Sequence, residues 1–119
     1  MTRKQREEDQ PLPVQGGVEV SPLLKESIAN YGLVGGYSQA LIDAIARDVD
    51  ERTALGIKRY GSTLQTNNGR DVCRDQYEEL LDAAQYGKQR VLQSSCAHAQ
   101  RLLYATINLL YEHKECKCQ

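Results

Sequence analysis

The sequence predicts an all-α fold, a four-helix-type bundle of one short and three longer helices. Two observations carry that prediction. Apolar residues recur at helical spacing along three long stretches, and no run of the 119 residues alternates as a half-buried strand does. Each stretch is also bracketed by residues that start or stop helices.

Residues 1–20 are polar, contain Pro and Gly and show no period, so they read as a flexible N-terminal arm. Ser21-Pro22 then offers an N-cap followed by proline at the first helical position. Leu23, Leu24 and Ile28 give the first helix an apolar stripe, and Gly32 is expected to end it. GLVGGYS makes a turn, with Ser38 as the next cap. The second helix should run from Gln39 to near Tyr60 and stop at Gly61. Its apolar positions, Leu41, Ile42, Ala44, Ile45, Ala46, Val49, Leu55 and Ile57, follow a helical period. STLQTNNG is a loop by composition.

The third helix starts near Asp71, which can cap it, and continues to near Leu92. Ser94-Ser95 offers a break and a new cap before AHAQRLLYATINLLYEHK, the fourth helix. Leu102, Leu103, Ala105, Ile107, Leu109 and Leu110 wrap most of its circumference. Three neighbours in a small monomer do not cover such a helix, so a homodimer or homotetramer with this helix near the contact is expected. The alternative is that Leu102 and Leu109 are ordinary exposed apolar residues. The helical domain would span 21–113, followed by a frayed tail at 114–119.

A chain of this length holds one domain with one core. The formal net charge of −1 gives no reason to expect nucleic-acid binding. No stretch approaches a membrane span, and the charged N-terminus lacks the apolar core of a secretory signal. The expected location is therefore cytoplasmic, with the four cysteines as reduced thiols. Cys116-Lys117-Cys118, with His113 nearby, is a weak signal for a soft metal. Seven tyrosines and no Phe or Trp supply aromatics suited to half-wet clefts and interfaces.

The most informative stretch is NGRDVCRDQYEELLDAAQY, residues 68–86, with carboxylates at Asp71, Asp75, Glu78, Glu79 and Asp82. At about 100° per residue, Asp75, Glu79 and Asp82 share one narrow strip with Val72 and Tyr86, which suggests that part of the strip contacts protein. Cys73, Tyr77, Leu80, Ala84 and Val91 take the opposite side. A solvated helix face mixes signs at i, i+4, whereas Asp71/Asp75, Asp75/Glu79 and Glu78/Asp82 are like-charged and only Arg74 relieves them from the same helix. The second helix carries its own acidic pair, Asp48 and Glu51, in line with Leu41, Ala44, Ile45 and Leu55. Carboxylates converging from two helices without a histidine suit a hard cation that shares its shell with phosphate, Mg²⁺ or Mn²⁺. The plain alternative is a charged face in water.

Asp48-x-x-Glu51 followed by Glu79-x-x-Asp82 resembles the ExxE…ExxD signature of the all-α, MazG-like nucleoside triphosphate pyrophosphohydrolases. GIKRYGSTLQTNNGRD is similar to the same stretch in small phage-encoded members of that group, and the likeness covers residues 39–92. Asp48 departs from the family's usual Glu and is one methylene shorter. The resemblance implies hydrolysis of a nucleoside or deoxynucleoside triphosphate to monophosphate and pyrophosphate. Asp48, Glu51, Glu79 and Asp82 would hold Mg²⁺, and Asp75 or Glu78 would orient or deprotonate the attacking water.

The loop adds Lys58, Arg59 and Arg70 as counter-charge for a triphosphate, Asn67 and Asn68 as hydrogen-bonding groups for base or sugar, and Tyr60 as a stacking surface. Each has a plainer role: the cations suit a helix C-terminus, Asn-Gly is a turn, and Arg70 pairs with a carboxylate. His98 and His113 read as surface or interface residues and Cys73 as core. No glycine-rich phosphate loop is present. Two further readings remain: a non-catalytic nucleotide binder on the same scaffold, of the kind a phage uses to sequester an immune signal, and a helical oligomerisation module whose acidic face only confers solubility.

Overall fold

A computed structural model describes residues 10–116. Among them are four helices and no strand: α1 (Val20–Val34), α2 (Gln39–Tyr60), α3 (Val72–Gln93) and α4 (Ala97–Glu115). The chain divides into two compact units, Pro11–Arg70, and Met1–Gln10 with Asp71–Gln119. Each unit holds one helical hairpin. None of these helices is long and apolar enough to cross a membrane.

In the Pro11–Arg70 unit, α1 and α2 run antiparallel. Ser21 Oγ lies 2.8 Å from Thr53 Oγ1, Lys25 Nζ lies 2.8 Å from Asp50 Oδ1, and Gly32 meets Ile42. The Thr53 hydroxyl already donates to the Val49 carbonyl, so Ser21 is the donor across the hairpin. That contact occupies Ser21 two residues inside the helix, and Glu19 takes the N-cap position. Gly32 does not end α1. It is buried, and a Cβ there would lie 2.7 Å from Ile42 Cγ1, so the glycine serves close packing of two helices.

α1 stops instead through the pair Gly35-Gly36. Gly36 is left-handed at φ 75°, the Tyr37 amide reaches the Gly32 carbonyl at 2.9 Å and the Gly36 amide reaches Leu33 at 3.3 Å, the double closure of a Schellman motif. Ser38 caps α2 by accepting from the Leu41 amide, and left-handed Gly61 closes it. Residues 14–20, expected as part of a flexible arm, run antiparallel to the loop after α2. Val14 N–H donates to Asn68 O, Thr66 N–H to Val18 O and Val20 N–H to Leu64 O, each at 3.0 Å. Gly16 and Gly17 permit this approach, because a Cβ on either would run into Asn67 or Thr66. Residues 1–9 of the expected arm lie outside the described residues.

In the second unit, α3 and α4 are antiparallel as well. Tyr77 stacks on His113 with ring centroids 5.0 Å apart, Lys114 Nζ lies 4.6 Å from the Tyr77 ring centre, and Gly87 faces Leu103. His113 is thus a half-buried packing residue and not a surface one, and its Nε2 is buried without a hydrogen-bond partner among the described residues. Asp71 caps α3 by accepting from the Arg74 amide at 3.1 Å, and Cys96 is the N-cap residue of α4.

The expectation that every cysteine is a reduced thiol fails at Cys73, which is disulfide-bonded, whereas Cys96 and Cys116 keep their thiols. Lys117 and Cys118 of the C-x-C tail lie outside the described residues. Among the described residues the buried apolar side chains are few: Ile42 in one hairpin, Ala99 and Leu103 in the other.

Candidate functional site

The α2 face packed on α1 carries Ile42, Val49 and Thr53, so helical spacing turns Asp48 and Glu51 to the far side. Both are exposed, and so are Leu41, Ile45 and Leu55 beside them. The apolar stripe that accompanies the acidic pair is therefore a different one from the stripe that builds the hairpin. Two distinct stripes explain why the apolar residues of α2 spread so widely around it.

α3 shows the same arrangement in its own unit. Tyr77 and Gly87 face α4, which turns the Asp75–Glu79–Asp82 strip away from α4. Glu79 is exposed, and Asp75 and Asp82 are half-buried. Val72 and Tyr86, read from sequence as marks of a protein contact, are exposed.

Asp75 and Glu78 each bond a side chain of their own unit. Gln10 donates from Nε2 to Asp75 Oδ1 at 3.1 Å and accepts the Asp71 amide on Oε1 at 2.8 Å. Arg74 Nε donates to Glu78 Oε1 at 3.0 Å, an i, i+4 ion pair in which Glu78 is the more buried side chain. The Arg74–Glu78 pair was legible from spacing. Gln10 was not, because it lies more than sixty residues from Asp71 and Asp75 and stands in a segment without a period.

In the loop, Asn67 is left-handed at φ 53°, and Asn68 Oδ1 accepts the Arg70 amide at 3.2 Å, an Asx-turn. Arg70 Nη1 donates to the Pro11 carbonyl, 2.6 Å away, and so ties the loop to the extended arm. The Arg59 guanidinium lies 5.5 Å from the Tyr60 ring centre. Lys58 is exposed in the last turn of α2, where its charge suits the helix C-terminus.

Asp48 and Glu51 belong to one unit and Glu79 and Asp82 to the other. Among the described residues no group of three or more His, Cys, Asp or Glu side chains is placed to hold a metal ion. One polar group was overlooked in the sequence. The Cys96 thiol sits where the amides of Ala99, and next His98, point at it, with Arg90 Nη2 at 3.9 Å, and these lower its pKa below the ordinary thiol range. A cysteine placed just before an apolar helical period was the available signal. Compared with known proteins, the chain matches no family model, no curated protein and no solved structure.

Proposed function

We propose that the chain binds a nucleoside or deoxynucleoside triphosphate with Mg²⁺ or Mn²⁺ and hydrolyses it to monophosphate and pyrophosphate. One observation carries the reading: each hairpin leaves an i, i+3 acidic pair, Asp48/Glu51 and Glu79/Asp82, on the side turned away from its partner helix. The donors are all carboxylate oxygens, the set that suits a hard cation. When bound, that ion neutralises phosphate charge and lowers the pKa of a coordinated water.

The chain's own residues supply the rest. Lys58 and Arg59 bring positive charge to the end of α2, and Tyr60 offers a ring face on which a base can stack. Asn67, Asn68 and Arg70 hold the loop in shape through the left-handed turn, the Asx-turn and the bond to Pro11. In the same reading the protein works in the cytoplasm as a homodimer or homotetramer with α4 at the contact.

A second reading is favoured by the partners of Asp75 and Glu78. With Asp75 bonded to Gln10 and Glu78 to Arg74, neither carboxylate stands ready as a base, which suits a nucleotide binder without turnover. Chromatography of products after incubation with each triphosphate and Mg²⁺ separates the two. Pyrophosphate release that Glu79→Gln abolishes supports hydrolysis. Thermal stabilisation by a nucleotide that survives Glu79→Gln, with no product formed, supports the binder. No stabilisation by any nucleotide, with or without Mg²⁺, sinks both.

A further inference from the structure

α4 has a side that its own hairpin does not use. Ala99, Leu103 and His113 turn toward α3, the first two buried and the third stacked on Tyr77. At about 100° per residue, the opposite half carries Arg101, Ala105, Asn108 and Glu112 along its midline, and all four are exposed. Leu102 and Leu109 flank that line on one edge, and Tyr104 and Tyr111 on the other. They are 54%, 47%, 60% and 70% exposed.

The midline is spaced i, i+4, i+7, i+11 and each flank i, i+7, which is the heptad period of a helix that packs along a second helix. Ala105 stands near the middle, where a small residue lets two backbones come close. Arg101 near one end and Glu112 near the other give the strip opposite charges at its two ends. Arg101 Nη2 is held on this side by His98 Nδ1, 2.9 Å away.

That charge order decides both the occupant and its direction. A parallel second α4 would set Arg101 on Arg101 and Glu112 on Glu112. A two-fold antiparallel copy sets Arg101 of each chain on Glu112 of the other, twice. It also brings Leu102 to Leu109, Tyr104 to Tyr111 and Ala105 to Asn108. A self-complementary strip of this kind is what an isologous interface requires.

We infer that two copies of this chain pair through antiparallel α4 helices about a two-fold axis between Thr106 and Ile107, with reciprocal Arg101–Glu112 ion pairs fixing the register. The inference rests on the α4 contact proposed above and not on nucleotide chemistry. One helix face is at the small end of specific interfaces, so the dimer is expected to dissociate on dilution.

Sedimentation of the full chain over a wide concentration range tests it. Wild type should self-associate, and Leu102→Asp should be monomeric with unchanged helical circular dichroism. Arg101→Glu and Glu112→Arg should each weaken association by roughly tenfold, because two favourable pairs become two like-charge contacts. Mixing those two variants in equal amounts should restore it, since both cross-chain pairs are again complementary. A monomeric wild type overturns the α4 contact itself. A dimer that neither charge reversal weakens, or that the mixture fails to restore, overturns this register and leaves the nucleotide reading untouched.

Discussion

Gln10 reads the N-terminus of α3 with both ends of its amide: Nε2 donates to Asp75 Oδ1 at 3.1 Å while Oε1 accepts the Asp71 amide at 2.8 Å. Its side chain is buried, and the residue is only 9% exposed. A free amide N–H in the first turn of a helix is one of the groups that the helix cannot satisfy internally. Gln10 satisfies one from outside the helix while Asp71 caps Arg74. We predict that Gln10→Ala lowers the unfolding free energy by about 1–2 kcal/mol, since a buried polar contact is lost at both ends. Asp75→Ala should do at least similar damage, and the double variant should lose less than the sum of the two single losses. Urea unfolding of the three variants measures this, and additive losses would mean that the two side chains act independently.

Gly32 sets two effects against each other. Alanine in a helix interior is favoured over glycine by roughly 1 kcal/mol. Its Cβ would lie 2.7 Å from Ile42 Cγ1 and 2.8 Å from Cδ1, and Ile42 is one of the few buried apolar side chains. Overpacking typically costs about 1–3 kcal/mol, so the clash should win. Gly32→Ala is expected to destabilise by about 1 kcal/mol, and Ile42→Val in that background should recover part of it by removing Cδ1. A Gly32→Ala protein that is more stable than wild type would show that α1 and α2 yield at this point.

These two contacts also show where the sequence stops being readable. Ser38, Gly61 and Asp71 mark helix ends through bonds made within a few residues, and the ends fall where those residues predict. Gly32 carries the same local signal for a stop, but its partner Ile42 lies across a hairpin, so the helix runs on to Val34. Ser21 fails as a cap for the same reason, its hydroxyl being engaged with Thr53. Gly16 and Gly17 look like flexibility until the loop they touch is in view. For Glu79 and Asp82 the period alone said which face they take, opposite Tyr77, and the α3–α4 contact agrees; for Asp48 and Glu51 it named an apolar stripe, Leu41, Ile45 and Leu55, that is exposed and not the one packed on α1. What the period omits is the partner: Arg74 is found at i, i+4, and Gln10 is not found at all.

The three described cysteines should react differently. Cys73 is disulfide-bonded, and Cys96 and Cys116 keep their thiols. Amide groups at the start of α4 favour the Cys96 thiolate, so its folded pKa lies below the unfolded one. Stability from this group is present above the unfolded pKa, near 8.5 for a thiol, and is lost as pH falls through the lower folded value. Because the thiol is only half-buried, reactivity reads it better than stability does. Alkylation of the folded, unreduced protein followed by peptide mapping should label Cys96 and Cys116 and spare Cys73. The Cys96 rate should reach half its maximum at a lower pH than an unstructured cysteine peptide. A Cys96 profile that matches the peptide would remove the helix-end effect.

Glu78 offers the sharpest separation of packing from chemistry. Its carboxylate binds Arg74 at 3.0 Å, and the two side chains are 12% and 38% exposed. Arg74 keeps access to water and can be rehydrated if its partner is neutralised, so Glu78→Gln should lower stability by only about 1 kcal/mol. A general base contributes on the order of 10²–10⁴ to a rate, far more than so small a change in folding can account for. We predict that Glu78→Gln shows the modest stability loss, that Arg74→Met/Glu78→Gln loses less than the sum of the two single losses, and that turnover on any triphosphate hydrolysed by wild type stays within roughly threefold. A hundredfold fall in kcat at unchanged stability would give Glu78 the proton instead and make the Arg74 contact a way of aiming it.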